Sequence, residues 1–339
     1  MRTLPLAIAI LAAASSTAGA DDSLAAIATG GLVVETTGRI ALAAEDLYLS
    51  EKLVRADYRF RNLTDAPVEV TLAFPMPDIA GQPEPSVSIP DPAHDNFLAV
   101  ETTVDGSPAD TQIEQRAVLA RPDGGPAVDI TDRLKALRIP LVPTVEATVD
   151  ALRRLPERVR GKLADAGFLM RQEHKDGTLA DVPLWTLKSK LRLRQVFPAG
   201  REMVVRQSFV PGLGLHPSLS FGAPDQDPSM TARYESQFCT NPVFERAAQA
   251  LYRRASADGS RSFQAYEETL AYVLTAGSGW AGPIGTFRLT VDKGDPATLV
   301  SFCGDGIRKT GPTTFEMTAK DYTPARDIDV LFLKSAARG

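Results

Sequence analysis

Three histidines, two cysteines and one alternating run of cations are the side chains of this sequence whose types could do chemistry. A hydrolase of the triad kind needs a nucleophile, a base and an orienting acid within mutual reach. His94 stands in DPAHDN, His174 in RQEHKDG, and His216 between GLGL and a proline. Each is in a loop-like stretch, and neither G-x-S-x-G nor H-E-x-x-H occurs. No histidine has ligand spacing to Cys239 or Cys303, so no metal site and no cofactor is expected. Asp225, Asp227, Asp292, Asp295 and Asp305 are oxygen donors of the calcium-binding type. None has EF-hand spacing, and Asp with Gly is ordinary turn chemistry. A carboxylate-pair glycosidase would leave no local signature, because such pairs are remote in sequence.

The cations are the more informative feature. In WTLKSKLRLRQVF, Trp185, Leu187, Leu191, Leu193 and Phe197 fall on one face of a strand, and Lys188, Lys190, Arg192 and Arg194 on the other. Residues 133–206 hold 16 Lys and Arg against 8 Asp and Glu, in a chain whose net charge is −5. Such asymmetry suits an anionic polymer, a lipid headgroup or an acidic protein partner, and equally a solvated sheet face. Nucleic acid is not expected, since the chain is acidic overall and the stripe has no interleaved aromatics for stacking.

The first residues set the compartment. Arg2 precedes an apolar run from Leu4 to Ala14, and Ala18 and Ala20 form a small-x-small cleavage pattern. This predicts a signal peptide over 1–20, cut after Ala20. The apolar run is too short to span a bilayer, and no later stretch is long enough, so the mature chain is expected to have no transmembrane segment. Arg outnumbers Lys, which fits a bacterial source, and the expected location is the periplasm or beyond. There, an even cysteine count predicts a Cys239–Cys303 disulfide.

These groups need elements to hold them. Val54 to Phe60 and Val68 to Phe74 alternate apolar and polar residues on either side of a polar turn, which predicts a hairpin. Trp185 to Phe197 and Glu202 to Pro211 predict a second, across PAGR. Asp105-Gly106 is a tight-turn signal. Helical spacing appears in DITDRLKALRI and in TVEATVDALRRLPERVRGKLADAGFL, with Pro156 opening a helix and Gly167 ending it. A further helix begins at Asn241-Pro242, and strands return to the end of the chain. The sequon Asn62-Leu63-Thr64 reads as chance, Trp185 as a buried sheet residue and Trp280 as a cover for the sandwich end.

The stretches DDSLAAIATGGLVV, YRFRN, LAFPMPDI, WTLKSKLRLRQVFPAG, GWAGPIGTFRLTVDKG and SFCGDG resemble a family of exported bacterial proteins, domain of unknown function 4424, along essentially the whole mature chain. That resemblance implies a secreted β-rich protein and brings no catalytic residues with it. The shorter piece FRNLTDAPVEVTLAFPMPD is similar to the hairpin of vault protein inter-alpha-trypsin domains, extracellular modules for interaction. The expected protein is mainly β. It has an N-terminal sandwich over 21–130, a helical insertion over 131–182 and a C-terminal β-rich lobe with one helix over 183–339. Whether the two β lobes share a sheet is open. The expected function is a non-catalytic envelope protein that binds an anionic polymer or protein partner through Lys188, Lys190, Arg192 and Arg194. The alternative is an envelope hydrolase acting on glycan or peptide.

Overall fold

A computed structural model describes residues 29–35, 38–81, 87–173, 177–256, 265–275 and 279–335; the signal segment 1–20 and His174 lie outside them. In chain order the main elements are β1 (Ile40–Ser50), β2 (Val54–Asn62), β3 (Val68–Pro75), β4 (Glu101–Val104) and β5 (Gln112–Leu119). Then come α1 (Thr131–Ala136), α2 (Glu146–Arg154), α3 (Glu157–Asp165), β6 (Leu169–Glu173), β7 (Leu179–Pro183), β8 (Thr186–Phe197), β9 (Glu202–Phe209) and β10 (Leu213–His216). The chain closes with α4 (Pro228–Phe238), α5 (Pro242–Ala255), β11 (Ala265–Val273), β12 (Ile284–Asp292), β13 (Leu299–Phe302), β14 (Thr314–Tyr322) and β15 (Ile328–Ser335). The protein is mainly β, as expected, with a helical segment in the middle.

Neither predicted hairpin is one. Strand β2 pairs with β1 and β9, whereas β3 pairs with β8 and Val33–Glu35 in a different sheet. Likewise β8 lies beside β3 and β9 beside β2. Both connections are therefore arches that carry the chain from one layer to the other, and they stack side by side. The alternation is real in all four strands: Val54, Ala56, Tyr58 and Phe60 point inward, as do Leu187, Leu191, Leu193 and Phe197. Period two reports which face is buried and not which strand is the neighbour. Asn62, at the foot of one arch, ties the two together. Its buried amide donates to the Ala66 carbonyl at 2.8 Å and to the Phe197 carbonyl at 3.0 Å, and its oxygen accepts from the Thr64 amide and hydroxyl. The sequon asparagine is thus fully used in internal bonds.

The arches answer the question of shared sheets. An eight-stranded sheet runs (Arg308–Lys309)-β14-β12-β1-β2-β9-β4-(Ser107–Pro108), so strands before and after the helical segment alternate within it. Two six-stranded sheets oppose it, one containing β5, β8 and β3 and the other β13, β15, β11 and β10. Phe60 meets Phe197 and Phe74 meets Phe209 across the first gap, and the Tyr58 and Tyr272 hydroxyls meet at 2.8 Å across the second. One apolar cluster draws residues from all three sheets. Pairing is mostly antiparallel, but β12 joins β1 in parallel.

Beyond the expected helix at Pro242 there is a second, α4, whose start was legible. Asp227 accepts from the Ser229 amide and Pro228 opens the first turn, an N-cap pattern that can be mistaken for an aspartate-rich turn. Helices α4 and α5 cover the outer side of β11 and β15, where Leu331 and Leu333 face them while Val330 and Phe332 face the central core. The predicted disulfide is present: Cys239, just after α4, is bonded to Cys303, just after β13. Closing a loop of 64 residues stabilises the fold by about 4 kcal/mol in the chain-entropy picture. Glu267 of β11 is fully buried and serves as an acceptor for the Ser220 and Phe221 amides and the Tyr234 hydroxyl, fixing the chain that enters α4.

A second buried carboxyl is less well served. A bulge between Leu42 and Ala44 shifts the inward register of β1 so that Glu45 enters the central core. Gly285 faces this bulge, where a Cβ would stand 2.6 Å from the Ala43 carbonyl oxygen. Glu45 has the Tyr272 hydroxyl as a partner, yet one of its oxygens has none. Burial pushes its pKa up to about 8 against the small opposing effect of that hydrogen bond.

Two outcomes follow. Replacing Asn62 by Ala leaves the buried Phe197 carbonyl without its side-chain donor, and chemical denaturation is expected to show a loss of about 1–3 kcal/mol. Because Glu45 holds its proton more tightly when folded, its contribution is complete below pH 4.5 and lost as pH rises to about 8. Glu45→Gln is therefore expected to flatten the fall in stability over that window, measured by urea melts at pH 5, 6.5 and 8; an unchanged slope would exclude Glu45 as its source.

Candidate functional site

The basic stripe is where the sequence places it, on the outer face of β8, but it is not bare. Lys188 pairs with Asp78. Glu114 of β5 lies directly opposite Lys190, and its carboxylate is 3.5 Å from Lys190, 3.5 Å from Arg192 and 3.2 Å from Arg116. Slight desolvation pushes the Glu114 pKa up, yet the three cations together hold it below the usual carboxylate range. Arg194, opposite Thr71, is exposed. Three of the four cations are thus paired with acids that sequence reasoning passed over, Glu114 being shared among several cations. Asp78 closes LAFPMPD and Glu114 lies in QIEQRAVL; their proximity to the stripe depends on strand order, which no local pattern reveals.

The other face of the same two strands carries a cleft. Ile113 and Gln115 of β5 pair with Leu191 and Ser189 of β8, so they point away from the stripe. The Gln115 amide donates to the Ser189 hydroxyl at 3.2 Å. Over them stand the loop 89–95 and the segment 135–147, and the space between has a volume of about 1220 Å³. Its wall is largely aliphatic, with Ile89, Ile113, Ile139, Leu141 and Val142 among the lining groups. Two smaller clefts, of about 770 and 500 Å³, also border the helical segment.

Specific bonds fix this wall. Trp185 is fully buried, as expected, in a small core with Leu134, Leu152, Leu163 and Phe168. Its indole N–H donates to the Leu141 carbonyl at 2.8 Å, and the Thr148 hydroxyl donates to the Val142 carbonyl at 2.6 Å. On the opposite side, Asn96 exchanges two hydrogen bonds with the backbone of Val100. Polar groups at the cleft are few: Gln115, Lys135, Arg138, His94, Asp95 and Glu146. Arg138 has no side-chain partner among the described residues, and Lys135 interacts with the Asp129 carboxylate.

The histidines and aspartates fall elsewhere. His94 is exposed and lies 2.7 Å from Asp91. The His216 Nδ1 is 2.6 Å from the Ser218 carbonyl oxygen, so it carries the proton and cannot take one from the Ser218 hydroxyl at 3.3 Å. Asp227 caps α4, Asp292 accepts from the Gly294 amide and the Tyr48 hydroxyl, and Asp295 accepts from Ala297. These are turn and cap duties. Among the described residues no three His, Cys, Asp or Glu side chains gather as metal ligands, and no helix is long and apolar enough to cross a membrane.

No curated protein matches this chain. Among solved structures, a candidate nutrient binding protein from Legionella pneumophila aligns over 90% of this chain and 70% of that one, with 12% identity and a TM-score of 0.44. The resemblance noted in the sequence is borne out over nearly its whole length: the chain belongs to the family described as Domain of unknown function (DUF4424), which matches residues 20–331.

Proposed function

We propose that the protein is a non-catalytic binding protein of the bacterial envelope, exported by residues 1–20, which holds an anionic ligand with an apolar body in the 1220 Å³ cleft. The observation that carries this reading is the combination of an aliphatic wall with two cations at its rim, Lys135, which interacts with the Asp129 carboxylate, and Arg138, whose side chain is unpaired among the described residues. Ligand sites are typically concave, mostly apolar and supplied with a few convergent polar groups. The basic face of β8 is the weaker candidate surface, because Asp78 and Glu114 already engage three of its four cations in ion pairs. The hydrolase alternative has less support, since the protonated Nδ1 of His216 leaves its neighbouring serine without a base there.

Two measurements test it. The protein is expected in the osmotic-shock fraction of its host, with Asp21 as the N-terminal residue; recovery in the cytosol with residues 1–20 retained would refute export. For the cleft, a dansylated undecanoate is expected to give saturable fluorescence enhancement. Ala147 is exposed at the cleft border, and Ala147→Trp is expected to weaken that binding by about tenfold, a loss of about 1.4 kcal/mol. Replacing Lys188, Lys190, Arg192 and Arg194 together by Ala is expected to leave it within about twofold, a difference well under 1 kcal/mol. If the fourfold variant loses binding and Ala147→Trp does not, the site is the strand face and the cleft reading fails.

A further inference from the structure

The helical segment ends two of its helices in the same way. At the end of α3, the Phe168 amide donates to the Leu163 carbonyl at 2.8 Å and the Gly167 amide to Ala164 at 2.9 Å, with Gly167 at φ +74°. At the end of α1, the Ile139 amide donates to the Leu134 carbonyl at 3.0 Å and the Arg138 amide to Lys135 at 2.9 Å, with Arg138 at φ +56°. Both are Schellman turns, closed in each case by an apolar contact in the small core, Leu163 with Phe168 and Leu134 with Ile139. Glycine is the residue this position favours, because a Cβ in the left-handed region crowds the following carbonyl. The first turn nevertheless carries an arginine. The other described non-glycine residues at positive φ are Ala99, Asp105, Cys239 and Asp321, all with shorter side chains.

Arg138 therefore breaks a local rule that the same segment obeys at Gly167, and it does so at the border of the 1220 Å³ cleft. Among the described residues no contact rewards the choice. The guanidinium is exposed and has no ion pair or hydrogen bond among the described residues. Strain held in a backbone position with no internal return is a mark of a functional site. The turn is also rigidly set, by its two backbone bonds, by Ile139 buried beneath it and by Leu141 held by Trp185. A planar fork of donors on such a base matches a carboxylate in bidentate fashion, which a lysine does not.

We propose that Arg138 is the specificity-determining residue of the cleft, that its guanidinium takes the carboxylate of the ligand, and that the left-handed turn is the device that aims it. Lys135, on the last turn of α1, adds a second positive charge to the same rim. Asp95, on the loop 89–95, and Glu146, at the start of α2, disfavour the head group elsewhere on the cleft border. This rests on the cleft reading above and adds the ligand's head group and the residue that selects it.

The test compares dansylated undecanoate with its neutral amide on the full mature chain, with thermal melts alongside. The wild type is expected to prefer the carboxylate by about tenfold or more, the range of a charged hydrogen bond. Arg138→Gly is expected to erase that preference, leave amide affinity unchanged and keep or raise the melting midpoint, because glycine suits the turn. Arg138→Lys is expected to restore part of the preference. An Arg138→Gly protein that still prefers the carboxylate, or loses both ligands equally, overturns the role of Arg138 while leaving a binding cleft in place. A wild type that binds neither probe takes the cleft reading down with it.

Discussion

The two arches that cross the sandwich side by side are the constraint on which the rest of the molecule depends. Strands β2 and β3 cannot pair with each other, because five residues carry the chain from one layer to the next instead of folding it back in plane. The same holds for β8 and β9. Each layer must then be completed by a strand from the other half of the sequence, β9 beside β2 and β8 beside β3. Asn62 sits where the two crossings touch and satisfies backbone groups of both. An arrangement of this kind commits the chain to long-range pairing early, at the entropic cost that non-local contacts carry. It also explains why two stretches separated by more than a hundred residues form one core.

This is also where legibility in the sequence ends. The existence and buried faces of β2, β3, β8 and β9, the Asp105-Gly106 turn, the helix at Asn241-Pro242, the Gly167 stop and the cysteine pair could all be read locally, because each is set by period, cap chemistry or compartment, whereas β6 and β7 lie in the stretch expected to be helical. Asp105 and Gly106 do adopt positive φ, as a two-residue hairpin of that type requires. Partner choice could not be read. Val54 to Phe60 alternates identically whether β3 lies beside it or across from it, since the burial of one face is the only quantity that alternation encodes. The acids that balance the stripe were invisible for the same reason: Glu114 is adjacent to Lys190 only because β5 lies next to β8. The cleft combines three stretches far apart in sequence, so its residues carry no joint pattern. Arg138 left one local signal, an arginine two residues past the end of a six-residue helix and two before a proline, where a glycine would be the easier choice.

The helical segment exists because β5 and β8 outrun the sheet that faces them. Farther along β8, Leu193 and Phe197 meet the eight-stranded sheet and belong to the central core. Toward its start, Trp185 and the neighbouring Ala117 of β5 have helices above them instead. The small core so formed is walled by short elements, with α1 only six residues long and α2 and α3 nine each. Short helices cannot tile a sheet face as another sheet does, and the space left between α1, the start of α2 and the sheet is the cleft. The cleft is thus the seam where one packing partner is exchanged for another.

The two buried carboxyls show how differently this fold treats polar groups by position. Glu267 lies between a sheet and helices, where loop amides and a tyrosine hydroxyl can be brought to it, and it receives three donors. Glu45 lies between two sheets, where backbone amides are already committed to ladders, and only side chains such as Tyr272 can reach it. A sheet-to-sheet core has few spare donors, so a carboxyl there is forced toward its neutral form. The bulge that admits Glu45, the glycine that accommodates the bulge and the paired tyrosines form one unit. Removing any one member would leave the others without a purpose that packing alone supplies.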